Sequence, residues 1–336
     1  NCPCVPDLIF GYIKASFWWP LFSSRNSSMR MRIFQLPVVV TLVGLFLSIS
    51  NPFPASAQEK KQDNDRASTK KQKEKVSFLR VKKDAKGEPE SLEVAIARYE
   101  FKDGPNQGAY VDLIGAVHVG SKEYYKELNQ RFQNYDSMLY ELVADSSANK
   151  PLPGAERGGF NPLGAMQTGM KDVLKLSFQL DEVDYTPSNF VHADMSPEDF
   201  QEDMKARGDG FVAMFARAMG AGLAVQNSKK GSTQQAEMMA AVLAKDTIAL
   251  RRVMADQFES MDSQMAGLAD KNGKSTLLTE RNTKAFKVME KELANGKKRI
   301  AIFYGAGHLL DMHQRLIRDY QATPTTFEWL EAWPLK

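Results

Sequence analysis

Two of the four histidines in this 336-residue chain close the same kind of segment. "YVDLIGAVHVG" (residues 110–120) and "IAIFYGAGHLL" (residues 300–310) are apolar runs that lead into Gly-x-x-His, at Gly115–His118 and Gly305–His308. A strand that stops this way delivers an imidazole to its carboxyl end, where open α/β sheets collect their chemistry. The glycine is expected to permit a sharp exit that holds the ring over the sheet edge. Two imidazoles and a carboxylate form an open three-ligand site. Such a site suits a catalytic divalent metal (Mn, Co or Zn) with water in the remaining position.

Glu141 is the natural carboxylate. It falls in the next strand-like segment after His118, among Met138, Leu139, Leu142 and Val143, where a carboxylate is costly unless paired or ligated. Arg281 lies in the first turn of a later helix, where the helix dipole gives a cation no help. It is therefore suited to bind an anion or to stabilise a developing oxyanion. His192 and Asp194, in "NFVHADMS", are secondary candidates that could add ligands or orient the others. His313 lies five residues beyond His308, off its helical face, and is expected to point to solvent.

These residues can meet only if particular elements position them. Alternation in "VSFLRVKK" and "SLEVAIARYEF" predicts two strands around the turn "DAKGEPE", with Leu92, Val94 and Ile96 on a buried face. A third strand spans Tyr110–Ile114. Ser121 should cap a helix carrying Tyr124, Tyr125, Leu128 and Phe132 at helical spacing, and "SMLYELVA" should return as a strand, completing a βαβ unit. Residues 146–170 read as a Gly/Pro-rich connection. The following section reads as helical, with Ser196 capping one helix and Pro197 in its first turn, and its methionines read as core filler. Thr279 is expected to cap "ERNTKAFKVMEKELA", and Asn295-Gly296 to end it. Arg299–Tyr304 is a strand, "LLDMHQRLIRDYQ" a helix and "TTFEWLEAW" a final edge strand, with Trp329 and Trp333 as packing residues. The expected fold is α/β, a central mixed sheet built from two α/β half-units that bracket a helical insertion at about 160–275. The strands ending at Gly115 and Gly305 should lie side by side, or nearly so, in that sheet, because only then do His118 and His308 converge.

The amino-terminal part reads as a targeting segment. Arg30 and Arg32 precede the apolar "PVVVTLVGLFLSIS", and Ala55-Ser56-Ala57 offers a small-residue cleavage site before Gln58. Residues 29–57 are thus expected to be a cleavable signal peptide, with initiation at Met29 or Met31 and residues 1–28 an upstream or misassigned start. The apolar stretch is short for a membrane span and is soon followed by Pro52 and Pro54, and an uncleaved membrane anchor is the rival reading. Residues 58–75 are polar and read as a linker, leaving residues 76–336 as the folded domain. Localisation is expected to be periplasmic or secreted. Both cysteines, Cys2 and Cys4, precede the signal, so an exported form would rely on a packed core and not on disulfides. Of 44 basic and 41 acidic residues, four and one fall within 1–57, so the remainder balances at 40 of each. That balance excludes nucleic acid as a partner.

The ordered set "GAVH", "YELV", "ERN" and "GAGHL" resembles the TraB/PrgY/GumN family, which includes the TIKI proteases, over roughly residues 108–330. The resemblance implies kinship with the erythromycin-esterase and ChaN-like haem-binding fold. For TIKI-like members it implies a divalent-metal-dependent protease with both Gly-x-x-His motifs in the site. The matching positions here are His118, Glu141, Arg281 and His308. The leading expectation is an exported metal-dependent hydrolase, a peptidase acting on a peptide or protein. In it, His118 and His308 are ligands, Glu141 is a ligand or general base, and Arg281 is an oxyanion stabiliser. The alternatives are a haem- or peptide-binding protein without turnover and a metal-free, esterase-like hydrolase with a histidine base. No Gly-x-Ser-x-Gly elbow, His-Glu-x-x-His helix or phosphate loop is present.

Overall fold

The computed structural model describes residues 76–145, 150–154, 173–206, 229–262 and 275–336, all within one compact unit, Thr69–Lys336. The expected signal peptide, its cleavage site and the linker lie outside the described residues. Among those residues no helix is long and apolar enough to cross a membrane.

The described chain is α/β, with a mixed sheet and seven α-helices. In order these are β1 (Leu79–Lys83), β2 (Pro89–Glu100), β3 (Tyr110–Ala116), β4 (Val119–Gly120), α1 (Lys122–Phe132), β5 (Ser137–Tyr140), β6 (Ser177–Phe178), α2 (Gln179–Glu182), β7 (Phe190–His192), α3 (Pro197–Ala206), α4 (Lys229–Ala244), α5 (Thr247–Asp262), α6 (Arg281–Ala294), β8 (Arg299–Gly305), α7 (Leu309–Arg318) and β9 (Thr323–Pro334). A π-helical turn, Thr276–Glu280, precedes α6, and a 3₁₀ turn, Ala306–His308, precedes α7.

The main sheet runs β1-β2-β3-β8-β5-β7, and β9 pairs with the other edge of β2. The strands β3, β8, β5 and β7 are parallel to one another, whereas β1, β2 and β9 pair antiparallel. The apolar run of β8 follows from burial on both faces. Ala301 and Phe303 join the core under α1 and α5, while Ile300, Ile302 and Tyr304 join the core under α6 and α7. One polar residue interrupts the β3 run: Asp112 is buried, and it is held by two Arg98 N–H bonds of 2.8 Å and the Tyr135 hydroxyl at 2.7 Å.

Local expectations hold at several joints. The Ser121 hydroxyl accepts the Tyr124 amide at 3.1 Å, and α1 buries Tyr124, Tyr125, Leu128 and Phe132. Ser196 accepts from the Asp199 amide at 3.0 Å, and Gly296 ends α6 at φ +81°. The β3 and β8 strands are neighbours, with Ala116 opposite Gly305.

Four expectations need correction. The section at 160–275 is not wholly helical, because it contributes β7 to the main sheet and β6 to a two-stranded ladder with β4. The β5 strand stops at Tyr140, so Glu141 stands just past its carboxyl end. Thr279 does not cap α6: its hydroxyl instead closes the π turn, bonding the Ser275 amide and carbonyl at 2.8 and 3.1 Å. Neither motif glycine has the positive φ that a sharp exit demands. A Cβ at Gly115 would meet Ala95 O and Val94 Cβ at 3.3 Å, so close approach of β2 is what requires glycine there.

Candidate functional site

Parallel strands point their carboxyl ends the same way, and four of them do so here side by side. Residues just past those ends therefore gather at one edge of the sheet. His118 lies two residues past β3, Glu141 one past β5, Asp194 two past β7, and His308 three past β8. Arg281 arrives from outside the sheet, at the start of α6. The π turn runs directly into that helix, so Arg281 does not sit at a bare helix terminus.

Charges dominate the centre. Arg281 Nη2 donates to Glu141 Oε1 at 2.7 Å and also to Asp194 Oδ2, while its Nε donates to Asp194 Oδ1 at 2.9 Å. Exposure of the side chains is 12 % for Arg281, 13 % for Glu141 and 0 % for Asp194, so water screens this triad little. Arg281 Nη1 has no partner among the described residues. Glu141 Oε2 accepts the Gly305 amide at 2.7 Å, which ties the second motif to the carboxylate through the backbone. Burial alone would push the Glu141 carboxyl up. His308, Arg281, His118 and the Gly305 amide outweigh it and hold the group at about 2. His308 is buried, and burial lowers its own pKa below the usual 6.5. It is therefore neutral at pH 7, and the permanent charge acting on Glu141 is that of Arg281.

The two motif histidines have unequal surroundings. His308 Nε2 lies 3.7 Å from Glu141 Oε1, and its Nδ1 lies 2.7 Å from Asn282 Oδ1. The His118 ring is exposed, and its Nδ1 lies 3.2 Å from Gln179 Oε1. No direct bond joins His118 to Glu141 or His308 among the described residues. The Tyr304 hydroxyl, at the end of β8, donates to Ala193 O at 2.6 Å and so braces β7 against β8 beneath the triad.

The secondary candidates separate. Asp194 belongs to the centre through Arg281. The His192 ring bonds the Leu142 carbonyl at 2.6 Å and packs edge-on to Tyr140, anchoring the chain just past Glu141. His313 contradicts its expected exposure. It is half-buried on the α7 face over β2, with Nδ1 2.6 Å from the Tyr99 hydroxyl, and burial lowers its pKa.

Whether these residues fit a divalent metal can be tested on distance and charge. The 3.7 Å between His308 Nε2 and Glu141 Oε1 is less than twice a metal–ligand bond of about 2.1 Å, so one ion can reach both atoms. Two carboxylates and one guanidinium leave the buried cluster at net −1, which attracts a cation. Among the described residues, no cluster of three or more His, Cys, Asp or Glu side chains is poised to hold a metal. Two donors, His308 Nε2 and Glu141 Oε1, are thus in place.

Comparison of the chain with protein-family models, curated proteins and solved structures finds no match. The reading therefore rests on the site itself. Sequence reasoning did not single out Asn282 or Gln179. Asn282 carried a signal, since it follows Arg281 directly; Gln179 carried none.

Proposed function

We propose that this protein is an exported hydrolase, a peptidase working with one divalent metal ion (Mn, Co or Zn), of the kind its motifs resemble in the TraB/PrgY/GumN family. The observation that carries the reading is the convergence of His118, His308, Glu141 and Asp194 from the carboxyl ends of four adjacent parallel strands, with Arg281 joining the two carboxylates. That β3 and β8 each end in Gly-x-x-His, and that each leads on to a helix, supports a build from two α/β half-units.

His308 Nε2 and Glu141 Oε1 would hold the ion, with His118 as the third donor from the exposed side. Bound there, the ion would polarise the scissile carbonyl and lower the pKa of a bound water towards about 7. A carboxylate held at about 2 stays ionised at neutral pH, which suits Glu141 to ligation and unsuits it to accepting protons. Arg281 has Nη1 left to donate to an oxyanion while Nε and Nη2 stay locked on Asp194 and Glu141. The rigid triad thereby aims its one uncommitted donor group.

Metal content and peptide hydrolysis test this directly. Chelated protein reloaded with Zn, Mn or Co should bind one ion per chain and cleave peptides. His308→Ala should lose both, whereas His313→Ala should lose neither. Protein that binds no ion at micromolar concentrations would end the metal reading.

A second reading is favoured by the Arg281 bond to Glu141 Oε1, which already occupies one site on that oxygen. In it, His308 Nε2 takes a proton from the attacking water without a metal. Chelator-insensitive turnover that still vanishes in His308→Ala would single it out, and a Soret band on haem addition without turnover would favour a binding protein instead. Export predicts a mature amino terminus at Gln58, and mass spectrometry of secreted protein checks it.

A further inference from the structure

We infer that Asn282 and Gln179 are positioning residues. Each carboxamide oxygen accepts the Nδ1–H of one Gly-x-x-His imidazole, and so leaves that ring's Nε2 as a bare lone pair at the site. The inference deepens the hydrolase reading, and its decisive measurement does not depend on activity.

The Asn282 case is forced by its other contacts. Its Nδ2 lies 3.2 Å from the His308 carbonyl oxygen and 2.8 Å from Asp311 Oδ2. Both of those atoms only accept, so the amide end must be the NH₂ group and cannot be flipped. The oxygen then faces His308 Nδ1 at 2.7 Å, and an oxygen facing a ring nitrogen at that distance needs the proton on the nitrogen. A neutral imidazole carries one N–H, so with that proton on Nδ1 the Nε2 atom has none. The bare Nε2 is the atom 3.7 Å from Glu141 Oε1. A histidine satisfied merely as a core residue would be expected to use both nitrogens. This one is buried and, among the described residues, hydrogen-bonds through Nδ1 alone.

The support extends outward to α7. Asp311 is held by Arg315 Nε at 2.8 Å, and Arg315 donates in turn to the Thr283 hydroxyl and the Thr279 carbonyl on α6 and its π turn. The relay Arg315–Asp311–Asn282 thus fixes which end of the amide meets His308. Asn282 is fully buried between the two helices, where its side chain has little freedom.

Gln179 repeats the device for His118 by a different route. Its Oε1 lies 3.2 Å from His118 Nδ1, its Nε2 donates to the Tyr185 hydroxyl at 2.9 Å, and its backbone amide donates to His118 O at 2.8 Å. The two residues are therefore joined through both backbone and side chain. Tyr185 can donate or accept, so the Gln179 amide is less rigidly assigned than that of Asn282, as suits the exposed and more loosely held ring.

With only four histidines, ¹⁵N-histidine labelling of the full chain gives a spectrum in which every ring can be assigned by substitution. In long-range ¹H–¹⁵N spectra at neutral pH, metal-free protein should show Nδ1 protonated and Nε2 bare for His308, and the same for His118. Asn282→Leu keeps shape and removes the acceptor. His308 should then shift towards the Nε2–H tautomer, which Glu141 can accept, while the His192 and His313 signals stay put. Asp311→Ala, nearer the surface, should spread the His308 tautomers by freeing the amide to flip, and it serves if Asn282→Leu does not fold. Gln179→Leu should do for His118 what Asn282→Leu does for His308, with Gln179→Glu restoring the Nδ1–H form.

Where hydrolysis is measurable, each leucine variant should lower kcat by about 10–100-fold with KM little changed, as for other groups that orient ligating histidines. Wild-type His308 found with its proton on Nε2, or unmoved by both Asn282→Leu and Asp311→Ala, would overturn the inference. If the tautomers behave as described and no turnover is found, the positioning stands and the hydrolase reading falls.

Discussion

Without the Arg281 guanidinium, the Glu141 and Asp194 carboxyl groups would be left buried with no cation between them. Removing one partner from a buried ion pair typically costs about 3–5 kcal/mol, because the remaining charge stays desolvated. Arg281→Ala should therefore lower unfolding stability in urea by about that amount, well beyond any loss of turnover. His118→Ala, at an exposed ring, should stay within about 0.5 kcal/mol of wild type. Equal stabilities for the two variants would show that the triad is not the buried network described. The sequence made most of this visible: an apolar context marked Glu141, and the paired motifs marked His118 and His308. It could not show that Arg281 serves two carboxylates, since Asp194 lies 87 positions away from it in sequence. His313 was misjudged for a related reason. Its spacing from His308 gave its direction around the helix, but not that this direction leads onto Tyr99.

The elements carry the next set of consequences. Glycine is required to different degrees around the motifs, and for packing reasons. A Cβ at Gly120 would lie 2.9 Å from the Tyr124 ring, at Gly115 3.3 Å from β2 atoms, and at Gly305 3.4 Å from Glu141 Oε2. Thermal melts of the alanine variants should therefore rank Gly120→Ala and Gly115→Ala as destabilising, by about 1–3 kcal/mol for overpacking, with Gly305→Ala milder. At the opposite end of β8, Asp136 accepts the Lys298 and Arg299 amides and the Arg299 side chain. The Arg299 side chain chiefly, then these amides, hold its carboxyl at about 2, below the ordinary 3.8. A depressed folded pKa stabilises above the unfolded pKa. Wild type should thus exceed Asp136→Asn in stability above about pH 4, and the gap should close as pH falls towards 2. A gap that persists below pH 2 would assign it to shape and not to charge. Helix α1 and strands β2, β3 and β8 were readable because periodicity and capping act locally. The short β4 and β6 strands were not, because two-residue ladders leave no periodic trace.

At the scale of the molecule, the end of the described chain is part of the core. Trp333 in β9 is 1 % exposed, donates to Val119 O at 2.6 Å and meets Phe258 of α5 edge-on. Trp333→Ala should cost about 3–5 kcal/mol, as large aromatic truncations in cores do, with a matching fall in the urea midpoint. Trp329, half-buried under the Arg80 guanidinium at 4.1 Å, should cost less. The α/β class was legible from alternating element types. The strand order was legible in part: the paired Gly-x-x-His motifs placed β3 beside β8, but nothing local announces that β8, made late, separates β3 from β5, which are close in sequence.

That late strand also sets a clock. A chain emerging in order from its amino end forms β3, α1 and β5 before β8 exists, and until β8 arrives Glu141 lacks its Gly305 amide and His308 is absent altogether. A partly synthesised chain therefore holds His118, Glu141, Asp194 and Arg281 but lacks His308 and has no assembled centre. A centre built this way is completed only at the closing stage of folding.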